Sequence, residues 1–133
     1  MMRQQDADEV RAAGWQSLHE AVHDSVSLSE WSRVVRCNGV LVAIFGVRAS
    51  GTLLSPCGIP WMLGTPALMR HRLLLHRMAR KYVSDMLHKY GHLFNVVDAR
   101  NSVSISWLKR LGFQFHDPVE FRGHQFIPFE MRA

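Results

Sequence analysis

Residues 59–113 read IPWMLGTPALMRHRLLLHRMARKYVSDMLHKYGHLFNVVDARNSVSISWLKRLGF, and this stretch decides the fold. Its first run, IPWML, is apolar and ends at Gly64. Thr65 and Pro66 then supply a capping hydroxyl and a residue suited to a first helical turn, so we predict a helix that begins there. Gly91 predicts its end. Apolar side chains recur along this helix every three or four residues, which predicts one buried face. They are Leu75, Met78, Ala79, Tyr82, Val83, Met86, Leu87 and Tyr90.

A second apolar run follows this helix. HLFNVVDA, residues 92–99, is short and rich in β-branched side chains, which favours a strand. A strand, a long helix and another strand in this order predict a crossover between two parallel strands. Asn101 then predicts the N-cap of a further helix, which ends at Gly112 before Phe113 returns to strand.

The rest of the chain predicts strands on either side of this crossover. A helix is predicted over about residues 6–23, and two strands joined by the turn dipeptide Asn38-Gly39 follow it. The second of them, VLVAIFGV, is apolar on both faces, which places it centrally with helices on each side. Ser50-Gly51 and Ser55-Pro56 predict a loop before IPWML. After Phe113 the chain returns to strand, and Pro128 places the last strand at an edge or a bulge.

Together these elements predict one α/β domain over residues 1–133. Its sheet is mixed and mostly antiparallel, with a central parallel βαβ crossover and helices on both faces. The predicted parts are a helical region over 1–30, a hairpin over 31–49, a cofactor-type core over 59–113 and C-terminal strands over 113–132. A chain of 133 residues is long enough for a single core of this kind.

The segment DARNSVSISWLKRLGF, residues 98–113, carries a family resemblance. It resembles the asparagine-helix-glycine-phenylalanine segment of the GNAT superfamily of acyl-CoA-dependent N-acyltransferases, and the preceding crossover stands where that family binds its cofactor. More narrowly, the order of IPWMLGTP, a basic helix, LFNVVDARNSVSISWLKRLGF and FIPFEMR is similar to the acetyltransferase-like proteins of tailed, T7-like bacteriophages. Those proteins are associated with internal virion proteins, and this narrower resemblance spans residues 30–132.

The GNAT resemblance implies where a cofactor would bind. In active members a glycine-rich loop before the long helix lets backbone N–H groups approach the pyrophosphate of CoA. The matching positions here are Gly64, Thr65, Ala67, Leu68 and Arg70, with Asn101 at the start of the next helix. One glycine remains in this loop, and proline at position 66 removes a donor. The resemblance therefore implies a degraded cradle, in which Arg70 or Arg72 replaces backbone donors if acetyl-CoA or CoA binds.

The catalytic position implied by the resemblance is also altered. Alignment on Asn101 and Gly112 puts Leu108 where the family often has the tyrosine that protonates the departing thiolate, and leucine has no proton to donate. The indole of Trp107 is not an acid at useful pH. His92 and Asp98 are the nearest substitutes, and we interpret both as exposed or turn residues. No catalytic residue is predicted.

A different motif, HEAVH at residues 19–23, matches the HExxH pattern of zinc metalloproteases. On a helix His19 and His23 would share a face and bind zinc, with Glu20 as general base. The chain after it continues into a hairpin without a third ligand in the expected context, so this is the remote alternative and no metal is predicted. Cys37 and Cys57 have no metal-type spacing and are interpreted as reduced thiols.

Charge and hydropathy bear on partners and location. The formal charge is +5, and the excess lies in the predicted helix over 66–90. A solvated face is the first interpretation of these cations, and weak contact with nucleic acid is the second. No apolar run is long enough to span a bilayer and the N-terminus lacks the apolar core of a signal peptide, so we expect a cytoplasmic protein without a membrane partner.

Two hypotheses of function follow. The first is a structural or assembly component of a phage particle, with a degraded catalytic site, partners among other virion or assembly proteins, and a location in the host cytoplasm and inside the virion. The second is an active acyl-CoA-dependent N-acetyltransferase that acts on a protein or small-molecule amine. Fold alone does not decide between them.

Overall fold

The computed structural model describes the backbone of residues 18–133 and the side chains from residue 23 onward. The predicted helix over 6–23 lies mostly outside these residues. The described elements, in chain order, are helix α1 Leu18–Leu28, strands β1 Trp31–Cys37, β2 Val40–Gly51 and β3 Pro56–Gly64, a 3₁₀-helix Pro66–His71, helix α2 Arg72–Tyr90, strand β4 His92–Asp98, helix α3 Ser102–Leu111, and strands β5 Gln114–Phe115, β6 Val119–Phe121 and β7 His124–Arg132.

The strands form one sheet in the order β1-β2-β3-β4-β7-β5, and β6 also pairs with β7. β3 and β4 are parallel, and the other pairs are antiparallel. Helix α2 forms the crossover between the two parallel strands, because it connects the end of β3 to the start of β4. The predicted mixed sheet with a central parallel crossover is confirmed.

Two hairpins build the N-terminal half of the sheet. Asn38 and Gly39 join β1 to β2 with φ values of 52° and 79°, which confirms the predicted turn. The predicted loop between Ser50-Gly51 and Ser55-Pro56 is confirmed, and it is a tight turn that joins β2 to β3. Thr52 and Ser55 close that turn through two backbone hydrogen bonds of 3.1 and 3.2 Å, which leaves the side chains of Leu53 and Leu54 fully exposed.

The helix ends follow the predicted caps. Gly91 and Gly112 adopt the left-handed conformation after α2 and α3, and the side chain of Asn101 accepts a hydrogen bond from the Ser104 N–H. The predicted helix start at Thr65-Pro66 is correct in position, but the predicted helix type is wrong. A 3₁₀-helix begins there, and the α-helix begins only at Arg72.

Two clusters of buried apolar side chains form the core. The larger joins the sheet to α2 and α3 and contains Val47, Met86, Tyr90, Leu93, Val97, Phe113 and Phe129. The smaller joins β1 and β2 to the 3₁₀-helix and the start of α2, and contains Val35, Val42, Ala43, Ala67, Leu68 and Leu75. Helix α1 contacts β2, and the Trp61 indole N–H in β3 donates to the Ser29 hydroxyl just after α1 at 2.6 Å.

The last strand is internal, so the predicted edge position of Pro128 is wrong. β7 pairs with β4 on one side and with β5 and β6 on the other. Pro128 lies opposite the break between these two short strands, where its carbonyl accepts from the His116 N–H at 3.0 Å. Pro128 keeps this one bond at the end of the β5 pairing and has no N–H with which to donate a second. None of the described helices is long and apolar enough to cross a membrane.

Candidate functional site

The site lies where β3 and β4 separate. These strands share one register pair, Gly58 opposite Leu93, near their N-terminal ends. A Cβ atom on Gly58 would lie 2.9 Å from a methyl carbon of Leu93 and 2.8 Å from the ring of Tyr90, so glycine permits the close approach. Two residues further along each strand, the Asn95 side-chain amide donates to the Pro60 carbonyl at 2.7 Å. Beyond this bridge no register pair joins the two described strands.

A cleft of about 350 Å³ occupies the gap between the separated strands. Its walls come from β2, β3, β4, α2, α3 and β7, and most of the lining side chains are apolar. Six of them are Met62, Met78, Ala79, Val83, Leu108 and Phe113. We call this space the sheet cleft.

A second cavity of about 330 Å³ lies between the 3₁₀-helix, the first turns of α2 and helix α3. It shares Met62, Leu75, Ser104 and Trp107 with the sheet cleft, so the two spaces adjoin. Arg72 and Arg110 line this second cavity and are exposed. We call it the outer cavity.

Thr65 closes the loop between β3 and the 3₁₀-helix. Its N–H donates to the Val42 carbonyl at 2.9 Å, which extends the pairing of β2 and β3 by one bond. Its hydroxyl donates to the Leu41 carbonyl at 2.6 Å and accepts from the Ala67 N–H at 3.3 Å. The side chain is 8% exposed, so these bonds are shielded from water.

Few backbone donors after Gly64 are available to a ligand. The N–H groups of Thr65 and Ala67 are engaged as just described, Pro66 has none, and the Leu68 N–H donates to the Thr65 carbonyl at 3.0 Å. The first four positions after Gly64 therefore present no unengaged N–H group. An anion at this helix start would have to displace bonds within the chain.

The predicted cofactor residues are mostly turned inward. Thr65, Ala67, Leu68 and Asn101 are 8%, 5%, 5% and 2% exposed, whereas Arg70 is exposed. Of the six predicted residues, Leu68 lines the outer cavity, and the others line neither cavity. The capping roles of Thr65 and Asn101 are confirmed, and the cofactor role of the set stays a prediction.

The position of the family tyrosine, Leu108, lies in the wall of the sheet cleft. Next to it, the Trp107 indole N–H donates to His76 Nδ1 at 3.0 Å, which fixes the indole between α2 and α3. Sequence reasoning missed both His76 and Arg110. Arg110 follows Trp107 by three residues, so helical spacing places both on one face and would have found it.

The two substitute catalysts considered from sequence lie away from the cleft lining. His92 Nε2 is 3.0 Å from a carboxylate oxygen of Glu130. Asp98 is not exposed, at 2%, but it begins a turn, because its carbonyl accepts from the Asn101 N–H at 2.9 Å. The Arg100 side chain donates to both carboxylate oxygens at 2.7 and 3.0 Å, and these hydrogen bonds hold the pKa of Asp98 below its usual value.

The HExxH motif falls at the start of the described chain. The side chains of His19 and Glu20 lie outside the described residues. His23 is exposed, and its Nδ1 lies 3.6 Å from a carboxylate oxygen of Asp24. Among the described residues, no group of three or more His, Cys, Asp or Glu side chains is arranged to hold a metal ion.

No family model and no curated protein sequence matches the chain. Solved structures do. A GNAT-family acetyltransferase from Streptococcus pneumoniae has a TM-score of 0.62 at 14% identity, with 85% of this chain and 72% of that chain covered. A putative phosphinothricin N-acetyltransferase has a TM-score of 0.69 at 12% identity, with coverages of 96% and 88%. An N-acetyltransferase from Staphylococcus aureus has a TM-score of 0.65 at 12% identity, with coverages of 86% and 74%.

This chain has the GNAT fold. The fold expected from residues 98–113 and the preceding crossover is therefore confirmed. At these identities the likeness establishes architecture, and activity must be argued from the site. In the GNAT fold seen here, the sheet cleft lies between the two parallel strands, and Leu68 of the helix start after Gly64 lines the adjoining outer cavity.

Proposed function

We propose that this protein is a GNAT-fold component of a bacteriophage particle, or of its assembly, in which the acetyl-transfer site is no longer used. One observation carries the loss of catalysis: the first four positions after Gly64 present no unengaged backbone donor. The pyrophosphate of CoA is a dianion that needs several such donors, or cations in their place. The N–H groups of Thr65, Ala67 and Leu68 are all engaged in hydrogen bonds that involve Thr65.

The chemistry of the cleft supports the same proposal. Leu108 has no proton for a departing thiolate, and the Trp107 indole is bonded to His76. Asp98 is held ionised by Arg100 and lies outside the cleft lining. The described lining of the cleft contains no carboxylate and no histidine that could act as a general base, and Tyr82 is its one titratable side chain.

The partners in this proposal are other virion or assembly proteins, in the host cytoplasm during infection and inside the particle. The phage part rests on the sequence resemblance over residues 30–132. Helix α2 supplies an exposed surface for contact with an acidic partner or, weakly, with nucleic acid. Its exposed cations are Arg72, Arg77, Arg80, Lys81 and Lys89.

A second candidate, an active N-acetyltransferase, is favoured by the separated strands. The Pro60 carbonyl faces β4, where it accepts from Asn95. Alternation along the strand then turns the peptide group of Met62 toward the same gap, where an extended chain with amides could pair with it. This candidate needs Arg70 or Arg72 to hold the diphosphate in place of backbone donors.

Calorimetric titration with acetyl-CoA separates the two candidates. At ligand concentrations up to about 1 mM, the upper range of common Michaelis constants, we expect no binding heat. Leu108→Tyr should bind no better, because the donors after Gly64 stay engaged. Binding by the natural chain that is lost in Arg72→Glu, together with acetylation of a lysine peptide, would replace the structural proposal with the enzymatic one.

The presence of this chain in the phage particle is tested by mass spectrometry. Purified virions should contain this chain, and virions of normal composition without it would refute the phage role.

A further inference from the structure

The side-chain amide and the two indoles that line the sheet cleft already have hydrogen-bond partners within the chain. The Asn95 amide donates to the Pro60 carbonyl, and its oxygen accepts from the Val96 N–H at 2.7 Å. The indoles of Trp61 and Trp107 donate to Ser29 and His76. Among the described residues, no buried side-chain N or O atom lacks a hydrogen-bond partner. A polar ligand would gain little from these side chains, whereas an apolar ligand would bury its surface against methionine, leucine and phenylalanine side chains.

The outer cavity has the opposite character at its rim. Arg72 and Arg110 line it from α2 and α3, and neither forms an ion pair with a described acidic residue. His76 also lines it. No carboxylate lies among the lining residues, so the rim is cationic. Because the outer cavity shares four lining residues with the sheet cleft, an apolar interior leads directly to two arginines.

From this juxtaposition we propose that the two cavities together bind an anionic amphiphile of the fatty-acid type. Its unbranched hydrocarbon chain lies in the sheet cleft between Met62, Ala79 and Leu108. Its anionic head lies in the outer cavity between Arg72 and Arg110, which suit carboxylate or phosphate oxygens. A cavity of about 150 Å³ accommodates benzene, so the sheet cleft has room for a chain of roughly eight to twelve carbons.

This inference is independent of the proposed function. It requires neither the donors after Gly64 nor a general acid, and a protein without transferase activity satisfies it equally well. An acetyl group would leave most of the sheet cleft empty, whereas the proposed hydrocarbon chain would fill it.

Three probes with one chain length test the chemistry: decanoate, decanol and decyltrimethylammonium, each kept below its micelle concentration. Binding is followed by calorimetry and by the NMR signal of the Trp107 indole N–H, since Trp107 lines both cavities. The Trp31 indole signal is the internal reference, because Trp31 lines neither. We expect decanoate to bind most tightly, decanol more weakly and decyltrimethylammonium least, with shifts at Trp107 and Trp61, which line the sheet cleft, and none at Trp31.

Two sets of variants assign the ends of the ligand. Arg72→Glu and Arg110→Glu should each weaken decanoate about fivefold, the scale of an exposed charge contact, and leave decanol unchanged. Arg77→Glu, a matched change on an exposed residue of the same helix outside both cavities, should leave decanoate unchanged. Ala79→Phe should abolish binding of both probes by filling the sheet cleft, and Ala79→Leu, a smaller change, should weaken both if the larger one prevents folding.

Each outcome decides the proposal. Absence of decanoate binding, or equal weakening of decanoate binding by Arg72→Glu and Arg77→Glu, would overturn it.

Decanoyl-CoA and free coenzyme A identify the source of the hydrocarbon chain. Decanoyl-CoA that binds more tightly than decanoate supports the site with an acyl thioester as the source, and equal binding supports a free fatty acid. Free coenzyme A that binds as tightly as decanoyl-CoA would refute the proposal, because the nucleotide and not the chain would then be recognised; that result would also count against the loss of cofactor binding.

Discussion

Replacing Thr65 by valine tests whether this residue closes the loop after Gly64. Valine has nearly the same shape, so the change removes the hydroxyl and little packing. The Leu41 carbonyl would lose a donor at 2.6 Å and the Ala67 N–H an acceptor at 3.3 Å. Loss of a helix cap costs about 1 kcal/mol, and a buried carbonyl left without a partner costs about 1 kcal/mol or more. We therefore expect Thr65→Val to lower the free energy of unfolding by about 2 kcal/mol.

Urea denaturation followed by tryptophan fluorescence measures this change. With a slope of about 2 kcal/mol per molar, typical of small domains, the midpoint should fall by roughly 1 M at unchanged slope. Thr65→Ser keeps the hydroxyl and is the matched control, with an expected loss of less than half that size. If the valine and serine variants unfold at the same urea concentration, the hydroxyl does not hold the loop, and the argument that its donors are unavailable fails.

Three further predictions concern other parts of the molecule. Gly58→Ala should lower the free energy of unfolding by about 1–3 kcal/mol in urea denaturation, because its methyl group would lie 2.8 and 2.9 Å from Tyr90 and Leu93 atoms. The ion pair of Asp98 with Arg100 should make stability fall with acid: the Asp98 pKa is lowered in the folded state, so its contribution is complete above about pH 4, the unfolded value, and is lost as pH drops through the lowered pKa. Urea midpoints between pH 7 and pH 2 measure this, and Arg100→Ala should flatten the profile. Replacing Leu53 and Leu54 by serine should change stability by less than about 0.5 kcal/mol, because both side chains are fully exposed.

Local signals in the sequence determined much of this fold. The turn at Asn38-Gly39, the helix ends at Gly91 and Gly112 and the cap at Asn101 all depend on the chemistry of one or two residues, so a pattern along the chain can find them. The crossover followed from the order of apolar runs and a long amphipathic segment. These features sufficed for the mixed sheet and its parallel pair.

Features that depend on residues far apart along the chain could not be predicted from the sequence. Pro128 lies inside the sheet because the strand that faces it is broken, and nothing near position 128 in the sequence reports that break. The 3₁₀-helix replaces the first turns of α2 while Ala67 and Leu68 pack in the smaller core cluster. The sheet cleft arises from the divergence of two strands whose paired residues, Gly58 and Leu93, are 35 positions apart in sequence. The cationic rim of the outer cavity combines Arg72 of α2 with Arg110 of α3, so neither helix alone could reveal it.

The single register pair between β3 and β4 also has a consequence for self-association. Past Gly58 and Leu93, each strand carries a row of peptide groups like that of a sheet edge, although both lie in the interior of the sheet. Exposed edges of this kind template pairing with other chains, and natural proteins shield them. Here each row faces the other across the sheet cleft, which Leu108, Phe113 and their neighbours line. Substitution of these lining residues by smaller ones should therefore promote aggregation before it reduces the helical content of the molecule.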